Sequence, residues 1–314
     1  METQAVVVLG ASGFIGRNVV DAMQGKVPLV YGVTGRPQVV PGCTQSVTLD
    51  AIDTLPALPP QTVVVNTAAA RYDARTFRAE QPTILATNTA IVNRAYAFCV
   101  ARGLTEVRFT SSAAVYPASW SVQDDDRVLD LNDWPHDGES AYAWSKRWGE
   151  IAAESFRRTH GISTLSFRLT NPFGPYDTLD REVAHVATAF VLKAVAPGDV
   201  FEVLGNPAAE RDFVYAGDIA AVIAATLDTR GMTETANIAR GTTTTVLALA
   251  EGVLAAAGSS KRIDVAPVPP SGVNIRRATG QRLHRLFPQA PALCSLDDGL
   301  RQTIRWYRDA QQHH

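Results

Sequence analysis

A tyrosine and a lysine stand four residues apart in the segment YAWSK. At this spacing Tyr142 and Lys146 would share one face of a helix. A phenol with an ordinary pKa of about 10 is a weak acid and base at neutral pH, and a nearby ammonium lowers that pKa because it favours the phenolate. The pair could therefore exchange a proton with a bound molecule, although the same spacing also occurs on ordinary surface helices.

The segment GASGFIG places three glycines at three-residue spacing directly after an apolar run. Gly10 would allow a tight turn, Gly13 would let the backbone approach a pyrophosphate, and Gly16 would let the next helix pack closely, which predicts a dinucleotide site. An acidic residue about 20 positions further on usually holds the ribose hydroxyls. The segment GVTGRP offers Arg36 instead, and a guanidinium suits a 2'-phosphate. NADP is therefore favoured over NAD, and Asp50 is a candidate for contacting the adenine.

Alternating apolar runs and helical patterns supply the elements that would position these groups. Buried-strand patterns lie at 5–10, 28–33, 62–66, 106–110 and 163–169, and helical patterns at 13–25, 75–102 and 139–160, with a shorter one expected within 36–60. This order predicts an α/β fold with a Rossmann-type, doubly wound parallel sheet.

The remainder of the chain predicts a smaller C-terminal α+β lobe that covers the carboxyl ends of the strands. Its last helix would begin after Ser295, with Asp298 three residues on. We assign residues 1–170 and about 211–240 to the dinucleotide-binding domain. Residues 171–210 and 241–314 form the smaller lobe, which would hold the substrate.

The composition excludes several classes of function. The chain has 314 residues, 46% hydrophobic, with a net charge of -2, so no positive field would recruit nucleic acid or an anionic membrane. No run approaches the roughly 20 apolar residues of a membrane span. The three cysteines lie far apart without metal-ligand spacing, so we predict no metal site and a reducing, cytoplasmic location.

Five segments together carry a family resemblance. GASGFIG, TSSAAVYP, YAWSK, RLTNPFGP and ERDFVYAGDIA have the order and spacing found in extended short-chain dehydrogenase/reductases that act on nucleotide sugars, and they span nearly the whole chain. The resemblance implies a Rossmann lobe for NAD(P), a small lobe for a nucleotide sugar and a Ser/Tyr/Lys catalytic group, in which Ser112 joins Tyr142 and Lys146. It also implies a homodimer formed through the helices at 75–102 and 139–160.

The same resemblance implies further binding residues. Arg211 matches a position used for the phosphates of the sugar nucleotide, with a salt bridge to Asp212 or Glu210 as its alternative, and Arg276 is a second arginine for the substrate. Asn171 lies at the junction of cofactor and substrate. Beyond the glycines, Arg36, Asp50, Tyr142 and Lys146, the cofactor site would comprise Ser12, Phe14, Ile15, Ala68, Ala69, Thr110, Leu169, Asn171 and Pro172.

Two alanines narrow the choice of reaction. Relatives that dehydrate sugars carry an Asp/Glu pair directly after the serine or threonine, and related decarboxylases carry a glutamate at the second position, but Ala113 and Ala114 stand there. The segment at 171–193 resembles GDP-fucose synthase, with His185 at its acid histidine and Lys193 at a basic substrate position. That enzyme needs a cysteine base where this chain has Ala114, so His185 either protonates or orients a substrate or faces a carboxylate such as Glu182.

The remaining chemistry needs one hydride and one proton. We predict NADPH-dependent reduction of a keto group, at C4 of a nucleotide-linked 4-keto-6-deoxy sugar, with Tyr142 as proton donor. An NAD-dependent C4 epimerase is the alternative, since the same group could oxidise and re-reduce a sugar. A non-catalytic dinucleotide-binding regulator would lose the tyrosine or lysine, and this chain retains Ser112, Tyr142 and Lys146.

Overall fold

A computed structural model describes residues 2–70, 77–181, 183–266 and 274–312. The strands in chain order are β1 (Ala5–Leu9), β2 (Leu29–Thr34), β3 (Gln45–Thr48), β4 (Thr62–Asn66), β5 (Glu106–Ser112), β6 (Ser163–Leu169), β7 (Asn171–Phe173), β8 (Val200–Leu204), β9 (Glu210–Arg211), β10 (Phe213–Tyr215), β11 (Glu234–Ile238), β12 (Thr244–Thr245), β13 (Arg262–Ala266) and β14 (Ile275–Arg276). The helices are α1 (Phe14–Met23), α2 (Phe77–Arg102), α3 (Ser140–His160), α4 (Val186–Val195), α5 (Ala216–Ala225), α6 (Val246–Ala257), α7 (Gln281–Leu286) and α8 (Leu296–Gln312).

Seven strands form the predicted parallel sheet, in the order β11-β6-β5-β4-β1-β2-β3. The central strands are continuous β-branched runs, AVVVL in β1 and TVVVN in β4, and both are buried along their whole length. The chain leaves β1 towards β2 in one direction and later returns to β4 on its other side. This reversal opens a crevice beyond the carboxyl ends of β1 and β4, where ligands of such sheets bind.

Helices cover both faces of the sheet. On one face α1, α5 and α7 bury side chains such as Val19, Ile219 and Leu283 against the strands. On the other face α2 and α3 bury Phe98 and Ala152. The doubly wound α/β prediction is therefore confirmed.

A third apolar core lies in the smaller lobe. Helices α4, α6 and α8 pack around the paired strands β8 and β13, and this core includes Phe201, Leu249 and Ile304. The predicted cap of α8 is present, since the Ser295 hydroxyl accepts from the Asp298 amide at 3.1 Å. The short helix α7 packs on the sheet core although we assigned it to the smaller lobe, and the division into domains stays a prediction.

The helix expected within 36–60 is wrong. This segment holds β3 and a single 3-10 turn at Ile52–Thr54. Prolines and glycines at 35–42 favour a loop there, and the QSVT run of β3 pairs with β2 at the sheet edge. The other predicted strands and long helices lie within three residues of their expected positions, with residues 75–76 outside the described residues. In the described parts of the chain, no helix is long and apolar enough to cross a bilayer.

Candidate functional site

The glycine segment folds into a tight cradle between β1 and α1. Gly10 adopts a φ of 79°, which disfavours residues with a side chain, and its carbonyl accepts from the Gly13 amide at 2.8 Å. A Cβ added to Gly16 would lie 2.0 Å from that same carbonyl oxygen. A Cβ on Gly13 would meet only this oxygen within 4 Å, at 3.2 Å, so the space beside Gly13 stays open to a ligand. The cradle therefore fits the pyrophosphate of a dinucleotide at the N-terminus of α1.

A cleft of about 650 Å³ extends from this cradle across the carboxyl ends of the strands. It is closed on one side by the smaller lobe. The predicted residues that line it are Gly10, Ser12, Gly13, Phe14, Ile15, Gly16, Ala68, Ala69, Thr110, Ser112, Tyr142, Lys146, Leu169, Asn171, Pro172, His185 and Arg276. Segments distant in the sequence thus meet in one place.

Four predicted residues do not line this cleft. Arg36 is exposed directly after Gly35, and Asp50 is exposed directly after Leu49, so both stand beside residues that do line it. Lys193 donates to the Glu202 carbonyl at 2.9 Å on β8 and is not brought into the cleft.

Arg211, the fourth of these residues, is paired across β9 and β14 with Arg276, which does line the cleft. Its guanidinium donates to the backbone carbonyls of Glu210 at 2.8 Å and of Asn274 at 3.1 Å. The Asp212 carboxylate accepts instead from the amides of Arg240 and Gly241, at 3.1 and 2.9 Å. These contacts differ from the salt bridge that was the alternative for Arg211.

The Ser/Tyr/Lys group is assembled by β5 and α3. Strand β5 extends to Ser112, whose hydroxyl accepts from the Ala114 amide at 3.1 Å and is hydrogen-bonded to the Tyr142 hydroxyl. Lys146 lies one turn further along α3, where its Nζ donates to the Thr110 carbonyl at 2.8 Å. This Nζ also lies 5.7 Å from the centre of the Tyr142 ring. The three side chains face the same cleft as the glycine cradle.

Burial has the largest effect on the pKa values of Tyr142 and Lys146. It raises the pKa of Tyr142 to about 12, with the hydrogen bond from Ser112 opposing the shift and the charge of Glu139 adding to it. Burial also lowers the pKa of Lys146 to about 8. Our expectation that the ammonium would lower the pKa of Tyr142 is therefore wrong, because burial raises it. The phenol is protonated at neutral pH, as a proton donor must be.

Lys146 should give the enzyme a pH dependence. Because its pKa is about 8, raising the pH through this value removes a positive charge from the cleft. Since kcat/KM reports groups of the free enzyme, we expect an alkaline limb in its pH profile with a midpoint of about 8. Lys146→Arg keeps the charge and should move the limb to higher pH at whatever activity remains. A limb at the same pH in the variant would assign it to another group.

A buried ion pair beneath these residues fixes α3 to the sheet. The Glu150 carboxylate, one turn beyond Lys146, accepts from the Ser111 hydroxyl at 2.6 Å and from Arg168 on β6 at 2.7 Å. Ser111 directly precedes Ser112 in β5. The pair therefore holds β5, which carries Ser112, in register with α3, which carries Tyr142 and Lys146, and sequence patterns alone gave no signal for it.

His185 has a carboxylate partner that the sequence analysis missed. Its Nδ1 lies 3.0 Å from Oδ1 of the buried Asp177, and its amide donates to Oδ2 of the same residue at 3.1 Å. The ring is half exposed to the cleft, 5.8 Å from the Phe14 ring. Burial acts to raise the pKa of Asp177, but contact with His185 outweighs it and lowers that pKa. Glu182, the partner first considered, lies outside the described residues.

Comparisons with known proteins identify the family of this chain. Residues 6–239 match the NAD dependent epimerase/dehydratase family. The chain belongs to this family. It is an NAD(P)-dependent oxidoreductase or epimerase of the extended short-chain dehydrogenase/reductase type, as the ordered segments predicted.

Individual members of the family share most of their length with this chain. A dTDP-4-dehydro-6-deoxy-D-allose reductase of Streptomyces sp is 30% identical over 97% of this chain and 96% of its own. GDP-L-fucose synthase 1 of Arabidopsis thaliana is 27% identical over 70% of this chain and 67% of its own. The crystal structure of UDP-glucose 4-epimerase from Thermus thermophilus, complexed with NAD, superposes with a TM-score of 0.77 at 21% identity, covering 98% of this chain and 100% of that one. This last likeness shows the fold.

Proposed function

We propose that this enzyme reduces the C4 keto group of a nucleotide-linked 4-keto-6-deoxy sugar with NADPH. The observation that carries the proposal is the Tyr142 hydroxyl, hydrogen-bonded to Ser112, beside two alanines where dehydrating relatives need an acid and a base. A reductase of such a sugar is also similar to this chain over nearly its full length. Chemistry that needs only a hydride and one proton fits this set of side chains.

Ser112, Tyr142 and Lys146 would each have a separate role in the transfer of the proton. A bound nicotinamide dinucleotide supplies the hydride, and the glycine cradle and Lys146 would hold it. Ser112 would donate a hydrogen bond to the substrate carbonyl oxygen, and Tyr142 would give its proton to that oxygen as the alcohol forms. The Lys146 ammonium would stabilise the phenolate left behind, which then regains a proton from solvent.

The preference for NADP rests on Arg36. This residue follows Gly35 at the end of β2, where its exposed side chain could reach a 2'-phosphate, and no carboxylate stands at the end of this strand. The Thr34 hydroxyl donates to the Arg36 carbonyl at 2.7 Å, which fixes the backbone of this turn. NAD remains the alternative, and the kinetic comparison of NADPH with NADH decides between them.

The substrate residues proposed are Ser112, Asn171, Arg211 and Arg276. Arg276 lines the cleft, and Arg211 is its neighbour in the paired strands β9 and β14. Guanidinium groups can donate in pairs to the oxygens of a diphosphate. Lys193 would have to leave its bond to β8 to take part. His185 stays a candidate for orienting or protonating the sugar, with Asp177 fixing its ring.

The test is oxidation of NADPH by the purified full-length chain in the presence of 4-keto-6-deoxy hexoses linked to thymidine or guanosine diphosphate. We expect consumption of NADPH that depends on the sugar and yields one alcohol per NADPH. The C4 epimerase is the second candidate, because the fold is shared with an NAD-bound 4-epimerase. Release of NAD on denaturation, without net turnover of NADPH, would support the epimerase and exclude the reductase.

We also propose that the chain forms a homodimer through α2 and α3. These helices pack on each other and leave Val100, Trp148 and Ile151 about 40% exposed. Light scattering should show a particle of twice the 33.7 kDa chain mass. Ile151→Arg should give monomers, and a monomeric wild-type chain would contradict the proposal.

The three free cysteines agree with the reducing, cytoplasmic location that we expect.

A further inference from the structure

An ion pair connects the two lobes inside the cleft. Glu139 stands in the turn directly before α3, three residues from Tyr142, and Arg276 belongs to β14 of the smaller lobe. The guanidinium lies 2.7 Å from the carboxylate. The side chains are 18% and 32% exposed, for Arg276 and Glu139 respectively, and both line the cleft. This pair is therefore open to a ligand that enters the cleft.

A second guanidinium shares the charge of Glu139. Strands β9 and β14 pair Arg211 directly with Arg276. Burial lowers the pKa of Arg211, the charge of Arg276 lowers it further, and the charge of Glu139 opposes both effects. Two positive side chains thus lie within electrostatic range of one carboxylate. Arg211, Arg276 and Glu139 together carry a net positive charge, which attracts a further anion besides the Glu139 carboxylate.

We propose that Glu139 is an internal counterion, which the diphosphate of the nucleotide sugar displaces from Arg276. The proposal rests on the proposed function for the identity of the substrate. The Glu139 carboxylate prevents the largely buried guanidinium of Arg276 from standing unpaired. Diphosphate oxygens can accept from the same guanidinium in pairs, so they can replace the carboxylate without leaving Arg276 uncompensated.

This exchange would make the cleft select ligands by their negative charge as well as by their sugar. A ligand must carry enough negative charge to compete with Glu139, so nucleoside diphosphates bind and uncharged sugars do not gain from the site.

The experiment measures the binding of thymidine diphosphate and guanosine diphosphate to the full chain by calorimetry. Glu139 makes no side-chain cap bond at the start of α3, so Glu139→Gln removes its charge without removing a helix cap. We expect this variant to bind the nucleoside diphosphates about three- to tenfold more tightly, and KM to fall with it while kcat changes less. Arg276→Gln should weaken binding, and in the double variant the gain from Glu139→Gln should vanish.

Two controls separate a counterion from a structural role. Glu139→Asp keeps the charge and should retain the wild-type Kd, and Glu202→Gln neutralises an exposed carboxylate on β8 and should change nothing. Unchanged or weaker binding by Glu139→Gln, or a gain that persists in the double variant, would overturn the counterion proposal alone. A wild-type chain that binds neither nucleoside diphosphate would overturn the proposed substrate class as well.

Discussion

Tyr142→Phe should lower kcat by about 10²- to 10⁴-fold, the usual contribution of a positioned acid or base. The substitution removes one hydroxyl and leaves the ring, so the wall of the cleft keeps its shape. The lost hydroxyl is the one that hydrogen-bonds to Ser112, and burial raises its pKa to about 12. In the proposed reaction, the carbonyl oxygen of the substrate would then lack its proton donor.

The measurement is single-turnover and steady-state oxidation of NADPH, together with a fluorescence titration of the cofactor. We expect the Kd for NADPH to stay within about twofold of wild type, since the cradle and Lys146 are unchanged. Tyr31→Phe is the matched control, because Tyr31 is buried in β2 away from the cleft. Activity of Tyr142→Phe close to that of the control would remove Tyr142 from the mechanism.

The sequence could predict the cleft because its parts are local signals attached to strand ends. The glycine spacing, the TSSAAVYP segment and the YAWSK segment each follow or face a strand of a parallel sheet, and the carboxyl ends of such strands share one edge. Knowledge of the strands was therefore enough to bring Gly13, Ser112 and Tyr142 together. The structure adds their contacts.

Contacts that involve the smaller lobe could not be predicted in this way. Asp177 and Glu139 belong to no functional motif in the sequence, and they become functional candidates only because the fold sets them against His185 and Arg276. The reverse holds for Lys193, whose ammonium is bound by β8. These contacts depend on how the chain runs through the smaller lobe, and no fixed spacing of residues in the sequence predicts this.

The direction of the pKa shift of Tyr142 shows a second limit of prediction from the sequence. A spacing of four residues places Lys146 on the same helix face, but it does not state which atom the ammonium meets. The structure directs Nζ to the Thr110 carbonyl, and burial of the phenol outweighs the hydrogen bond from Ser112. Desolvation depends on the whole cleft and is invisible to a pairwise motif.

Gly16→Ala should abolish dinucleotide binding. The new Cβ would lie 2.0 Å from the Gly10 carbonyl oxygen and 2.6 Å from its carbon, well inside the normal contact of about 3.5 Å. Both neighbours are backbone atoms, so β1 and α1 must separate to admit the methyl group. The amides at the N-terminus of α1 would then no longer converge on a pyrophosphate. We expect the affinity for NADPH to fall by at least about 100-fold, or ~2.7 kcal/mol.

A second glycine separates lost binding from lost folding. Gly13→Ala meets only the Gly10 carbonyl oxygen, at 3.2 Å, so its Tm should stay near wild type while its methyl group fills the space beside the ligand. Gly252→Ala, where the new Cβ would make ordinary contact with Leu300 at 3.6 Å, is the control for alanine in a helix. Fluorescence titration with NADPH and thermal unfolding are measured for all three variants. Wild-type affinity in Gly13→Ala would contradict the pyrophosphate site even if Gly16→Ala failed to fold, because the Gly13 variant keeps the cradle and changes only the space that the phosphate needs.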